Sequence, residues 1–281
     1  MKKILGIIGS PRKLGNCEIM VKEISRHISE PHELQLLRLP AFNISPCKAC
    51  YACLFGEKCV QNDDFSFVLE AVIQADAIIV AAPTYLLGAN SCLKRFLDRG
   101  LAFYNHVEKL WGKPAVGVSI AGKEGMEGAT KLNVDSFMKL LLTEIKGHEI
   151  IFGALPGEIF LNEENKRRAA ALAKVLFGKA MERRGPCCPL CGGDSFRFLG
   201  GDNVRCLLCS GPGRIDRTNG EIVFEIIPAP HVLFLNKEAV FAHAEWLRQM
   251  KDRFIQNKIA LKEICTPYLQ EGNWINPLKT L

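Results

Sequence analysis

The chain has 281 residues, of which 48% are hydrophobic, and a formal net charge of +6 scattered along its length. That is enough chain for one main domain plus something smaller, and the mild, dispersed charge suits an acidic redox partner or a phosphorylated cofactor rather than nucleic acid. No window reaches the apolar length of a membrane-spanning helix, and the run Ile4 to Ile8 is too short for a secretory signal. A cytoplasmic protein is therefore expected, in which 12 cysteines point to metal or redox chemistry rather than to disulfides.

Residues 3–8 read as a buried strand ending at Gly9-Ser10-Pro11, followed by a helix over 16–29 with Ile19, Met20, Ile24 and Ile28 on its core face. A second strand spans 34–39 and a helix 64–74, and 77–82 (AIIVAA) is again apolar throughout. The alternation continues with a helix over 90–104, a strand over 115–120, a helix over 130–145, a strand over 150–155 and a closing helix over 163–183. Strands apolar on both faces that alternate with amphipathic helices specify a parallel sheet covered on both sides. Five of them suggest the flavodoxin-like order 2-1-3-4-5, in which a ligand sits beyond the carboxyl ends of the strands.

The loops at those ends are the places to look. Gly9 to Cys17 leads from the first strand straight into a helix: Ser10 and Asn16 can donate, Arg12 adds charge, and Gly15 lets a phosphate approach the backbone. The loop lacks G-x-x-x-x-G-K-[ST], so a nucleoside triphosphate is not expected. The plainer reading is a turn with an Asn cap and solvated Arg12 and Lys13. After the third strand, Pro83 and Tyr85 stand where a flat aromatic ligand would lie, although Tyr85 serves equally as a surface aromatic. After the fourth, residues 121–128 form a glycine-rich loop able to close over the same ligand.

Following the second strand, Cys47, Cys50, Cys53 and Cys59 have the spacing C-x2-C-x2-C-x5-C. Three sulfurs at two-residue intervals wrap one corner of a compact centre and the fourth closes it, as a cubane iron-sulfur cluster requires. Zinc remains open on ligand type, yet it usually takes two knuckles about 15–20 residues apart. Idle thiols or disulfides are the third possibility. A second group, Cys188, Cys191, Cys206 and Cys209, does have the two-knuckle form, with 14 residues between the pairs. Short strands at 196–199 and 221–227 flank it, so this segment reads as a zinc ribbon, with rubredoxin-like iron as the alternative. Cys187, Cys92 and Cys265 are read as non-ligands.

Three features, GSPRKLGN at Gly9 to Asn16, PTY at Pro83 to Tyr85 and LKRFLDR at Leu93 to Arg99, resemble the NADPH-dependent FMN reductase family, and the C-x2-C-x2-C-x5-C loop makes the chain resemble, more narrowly, the iron-sulfur flavoproteins. The resemblance covers about residues 1–182. It implies an FMN whose phosphate rests on Ser10, Arg12, Gly15, Asn16 and Cys17, whose ring lies near Pro83, Thr84 and Tyr85, and whose pyrimidine end meets Gly122. It also implies a [4Fe-4S] centre on Cys47, Cys50, Cys53 and Cys59, and a dimer or dimer of dimers. Cys17 departs from the threonine common in the family.

The expected organisation is a flavodoxin-like domain over 1–182 carrying the cysteine loop 46–59, a zinc-ribbon-like module over 183–228, and a helical extension over 229–281. In that extension a helix over 237–264 carries Val240, His243, Trp246, Leu247, Met250 and Phe254 along one side; the tail through Trp274 shows no pattern. A cluster moves electrons singly and a flavin moves them singly or as hydride. The expected function is thus an oxidoreductase or carrier passing electrons from a ferredoxin-like or NAD(P)H donor to an acceptor. A plain NAD(P)H-dependent flavin or quinone reductase with structural zinc sites, and a redox-sensing interaction protein, are the competing readings.

Overall fold

The computed structural model describes residues 1–183, 185–218, 220–273 and 275; Trp274 lies outside them. Its main sheet contains β1 (Lys2–Ile8), β2 (His32–Arg38), β3 (Ala77–Tyr85), the two-residue return strand β4 (Gly88–Ala89), β5 (Pro114–Ala121) and β6 (Glu144–Phe152). Five of these strands are parallel in the order β2-β1-β3-β5-β6, and β4 folds back antiparallel onto the end of β3. This is the flavodoxin-like arrangement expected from the alternating pattern.

Successive residues of a strand point to opposite faces, and both faces of this sheet are filled. Leu5 and Ile7 pack with Phe65 of α2 (Phe65–Gln74), Phe96 of α3 (Cys92–Leu97) and Phe137 of α5 (Thr130–Leu140). Ile4 and Ile8 pack instead with Met20 and Ile24 of α1 (Asn16–Arg26) and Leu172 of α6 (Glu163–Leu176). Burying each such side chain contributes roughly 1.5–3 kcal/mol. At Gly6 a Cβ would lie 2.4 Å from the Val21 side chain, so glycine lets α1 seat directly on β1.

The larger differences from the sequence reading lie at element boundaries. The last parallel strand begins at Glu144 rather than 150, because α5 stops at Leu140: Leu142 turns left-handed (φ +64°) and the Thr143 hydroxyl donates to the Met138 carbonyl at 2.7 Å. As an edge strand β6 is only half-buried, and its polar residues disguise it as a continuation of the helix. The segment expected as a helix over 90–104 breaks into α3 and a 3-10 turn, Gly100–His106, followed by the short α4 (Val107–Leu110). The closing helix ends at Leu176, not at 183.

Beyond it, β7 (Phe196–Gly200), β8 (Asn203–Cys206), β9 (Pro212–Thr218) and β10 (Glu221–Ile226) form an antiparallel meander, two strands more than the sequence suggested. Its own core is small: Cys188, Val204, Cys206 and Ile226, with Phe196 stacked on Phe224 at 3.7 Å between ring centroids. Helix α7 (Lys237–Cys265) starts at Asn236, whose side chain accepts from the Ala239 amide at 2.8 Å. Val240 joins the main core, His243 stacks on Trp246 with the His231 ring inclined against both, and residues 251–265, including Phe254, are exposed. No helix among the described residues is long and apolar enough to cross a membrane.

Candidate functional site

Ser10, Arg12, Gly15, Asn16, Cys17, Pro83, Thr84, Tyr85 and Gly122, all singled out in the sequence, line one cavity of about 210 Å³ at the carboxyl ends of β1, β3 and β5, with Ile120, Gly153, Ala154 and Pro156. At one end is the start of α1. Its N-cap is Gly15, which has no side chain to occupy the first-turn amides, and free amides at a helix N-terminus attract anions. The loop is braced from behind: Leu14, left-handed at φ +51°, donates its amide to Glu18, and Arg38 donates to Glu18, to the Ser10 carbonyl and to the Arg12 carbonyl. Burial pushes the Glu18 carboxyl up, but hydrogen bonds from Lys22, Arg38 and Leu14 outweigh it and hold the group at about 2.

Two side chains act differently from the sequence reading. The Asn16 carboxamide does not face a phosphate. Its Nδ2 donates to the Gly153 carbonyl at 3.0 Å and its Oδ1 accepts from the Gly157 amide at 2.9 Å, because a buried amide must find partners; it anchors the loop after β6 as a cavity wall. The Cys17 thiol points into the core beneath α1, and burial pushes it up to about 12.

The other end of the cavity is flatter and more apolar, with Pro83, Tyr85 and Ile120. Here β3 turns into β4 through Leu86 and Leu87, both left-handed (φ +49° and +64°), a conformation that leucine adopts only when its surroundings impose it. The Ala129 amide donates to the Leu87 carbonyl at 2.7 Å, the Thr130 hydroxyl to that of Thr84 at 2.8 Å, and the Ala89 amide to Asn133 at 3.0 Å. Helix α5 thus pins the lip of the cavity, leaving Leu86 wholly exposed. A phosphate cradle at one end and a flat, mostly apolar wall at the other fit a molecule built like FMN.

Cys47, Cys50, Cys53 and Cys59 surround a small hollow of about 20 Å³ shared with Phe65, Arg99 and Leu101. Left-handed Ala49 and Tyr51 bend the chain on either side of Cys50. Cys47 and Cys50 are exposed, whereas Cys53 and Cys59 are half-buried. The loop is tied down from outside: Asn105 donates to the Cys53 carbonyl at 2.6 Å and Arg248 of α7 to the Leu54 carbonyl at 3.2 Å. Arg99, 3% exposed, donates to the Cys59 sulfur at 3.0 Å and pairs with Asp63 at 2.6 Å. It was missed in the sequence as a site residue, since one arginine on a helix carries no such signal, although it closes the run LKRFLDR.

Cys188, Cys191, Cys206 and Cys209 are arranged more tightly, with all four sulfurs within 4.8 Å of one another. Thiolates that converge on a point suit a single tetrahedral ion such as zinc; a cluster has width of its own and keeps its cysteines further apart. The sulfurs here share hydrogen bonds: these draw the Cys206 thiol down, while the Cys191 and Cys209 thiols are pushed up. Lys139 of α5 lies close to this set: burial pulls its ammonium down, opposed by Cys191 and Cys209. Cys187 stands apart beside a cavity lined by Lys146 and Arg168, Cys92 lies against the core, and Cys265 is exposed.

One further alignment imitates catalytic machinery. Ser119 Oγ is 2.9 Å from His148 Nε2, and His148 Nδ1 is 2.6 Å from Asp135, but Ser119 is completely buried in the sheet and no substrate could reach it. The network is structural. Lys131 extends it to Asp194 at 3.0 Å, fastening the ribbon segment to α5.

Residues 2–154 match the NADPH-dependent FMN reductase family. An iron-sulfur flavoprotein of Archaeoglobus fulgidus is 30% identical over 175 residues, covering 62% of this chain and 78% of that protein; one from Methanosarcina thermophila is 32% identical over 155 residues, covering 54% and 81%. A solved flavone reductase superposes with a TM-score of 0.74 at 19% identity over 98% of this chain and 100% of its own, a likeness of fold that takes in the C-terminal third. The chain belongs to the NADPH-dependent FMN reductase family and is a flavin-dependent oxidoreductase.

Proposed function

We propose that this oxidoreductase carries FMN in the cavity at the ends of β1, β3 and β5, a [4Fe-4S] cluster on Cys47, Cys50, Cys53 and Cys59, and zinc on Cys188, Cys191, Cys206 and Cys209. The observation that supports the reading is two separate sites in one fold, a phosphate cradle with a flat wall and a four-thiol hollow with a buried arginine. Bound there, flavin exchanges electrons singly or as hydride and the cluster exchanges them singly, which suits conversion between donors of different stoichiometry. Arg12 and the first-turn amides of α1 would hold the phosphate, Pro83 and Tyr85 would support the ring, and the α5-pinned lip would leave one ring face open to a donor or acceptor.

The proposed donors are a ferredoxin-like protein or NAD(P)H, and the proposed assembly is a homodimer or dimer of dimers. The residue expectations for domains, 1–182, 183–228 and 229–281, stand as part of the same proposal; the separate small core of the ribbon supports the second boundary. Mixing anaerobic protein with NAD(P)H, or with a reduced low-potential ferredoxin, and following the flavin absorption tests the donor. Bleaching within the time of turnover is expected with at least one of them. A flavin reduced by neither would contradict the proposal.

A further inference from the structure

Arg99 has a more specific task than filling space. It stands just beyond the end of α3, and its guanidinium is spent in three directions: Nη1 donates to Asp63 at 2.6 Å and to the Ser45 carbonyl at 3.2 Å, Nη2 donates to the Cys59 sulfur at 3.0 Å, and the plane lies over the Phe65 ring at 4.3 Å from its centroid. Asp63 is equally committed, accepting from the Ser45 amide at 2.8 Å and the Phe65 amide at 3.1 Å. Both side chains are 2% exposed.

A buried ion pair is a poor way to gain stability, because desolvation cancels much of the attraction and an apolar pair of similar volume often does as well. What an apolar pair cannot do is meet a thiolate. Arg99 and Asp63 neutralise each other, so the donation from Nη2 is left for a sulfur that becomes negative once it holds iron. Among the described residues, Arg99 is the one side chain that donates to a sulfur of this loop. Cys59 is also the ligand furthest along the chain from the other three, with no short knuckle to set its position.

We propose that Arg99, oriented by Asp63, is a positioning residue of the iron-sulfur site: it fixes the Cys59 sulfur and raises the reduction potential of the cluster. This inference rests on the cluster reading above. Its physical basis is that adding an electron makes the cluster and its thiolates more negative, and a buried hydrogen bond aimed at a ligand sulfur stabilises that reduced state more than the oxidised one.

The test compares the reconstituted holoprotein with the double variant Arg99→Gln/Asp63→Asn, which removes both charges together and strands neither. Potentials of cluster and flavin are measured by titration followed by electron paramagnetic resonance and absorption, with iron and FMN quantified on each sample. The cluster potential is expected to fall in the double variant while the flavin potential and FMN content stay the same. Arg99→Lys, which keeps the charge but loses the fork, is expected to lie between, and it carries the test if the double variant does not fold. An unchanged cluster potential would overturn this inference alone, whereas an unaltered protein that takes up no iron would overturn the cluster reading together with it.

Discussion

The two cysteine sites use the same ligand in opposite ways. In the ribbon, the four sulfurs lie within 4.8 Å of one another and two of them, Cys188 and Cys206, form half of a four-residue core. In the loop after β2, the sulfurs line a hollow, and the backbone around them is held by Arg99, Asn105 and Arg248 from elements that have their own places in the fold. On the zinc reading proposed above, the ribbon would depend on its metal to be folded, since so little apolar surface cannot offset the entropy of ordering the segment. The loop is a shaped scaffold whose form is set by the protein around it. Metal as core and metal as cargo should respond differently when a ligand is removed.

The largest contrast is expected from Cys206→Ser. Losing one ribbon thiol should release the metal and unfold residues 187–226, seen as loss of amide-exchange protection confined to that segment, with FMN content retained. Retained protection there would break the comparison.

Next in size is the join between the two parts. Burial raises the Asp135 carboxyl, but His148 and Lys131 outweigh burial and hold it at about 2. Because the folded value is depressed, the stabilisation is complete above the unfolded value of about 3.9 and is lost as pH falls toward 2, an effect of about 2–3 kcal/mol. Asp135→Asn should thus cost stability at pH 7 and only about half as much at pH 3, as read by urea melting at the two values. A cost that persists undiminished at pH 3 would place the effect in packing rather than charge.

Lys139→Met sharpens the ribbon side. Removing a cation beside Cys191 and Cys209 is expected to weaken metal affinity by about tenfold, measured by competition with a chromogenic chelator. The smallest effect on stability is expected from Cys50→Ser in the exposed part of the loop: iron should be lost, yet the melting free energy should change by less than about 1 kcal/mol.

How far these sites were legible from residues alone follows the same division. The cavity was readable because the walls after β1, β3 and β5 follow apolar strands, and topology places ligands there whatever the detail; the wall after the polar β6 was not, nor were the side-chain partners of Asn16 and Cys17, since sequence does not show which way a buried group finds its partner. Cysteine spacing was readable in both sites because it is local. Strands β8 and β9 were not: β8 has only four residues, and in β9 Pro, Gly, Arg and Asp leave Ile215 as the single large apolar residue. The β3–β4 turn lacked the Asn or Gly that normally marks left-handed residues, Leu86 and Leu87 being forced there by α5. Arg99 and Lys139 were invisible for a common reason: the sulfurs they approach lie 40 or more residues away, and only the fold brings a single cation to a sulfur.

The most direct measurement is metal and flavin analysis of anaerobically purified protein on one sample, with its visible spectrum before and after reduction. Two different metal sites predict about four irons and about one zinc per chain, with flavin bands on a broad background that bleaches on reduction. Flavin accompanied by zinc at both sites, and no iron even after anaerobic reconstitution, would contradict the division between a metal that builds the ribbon and a cluster that the loop is shaped to carry.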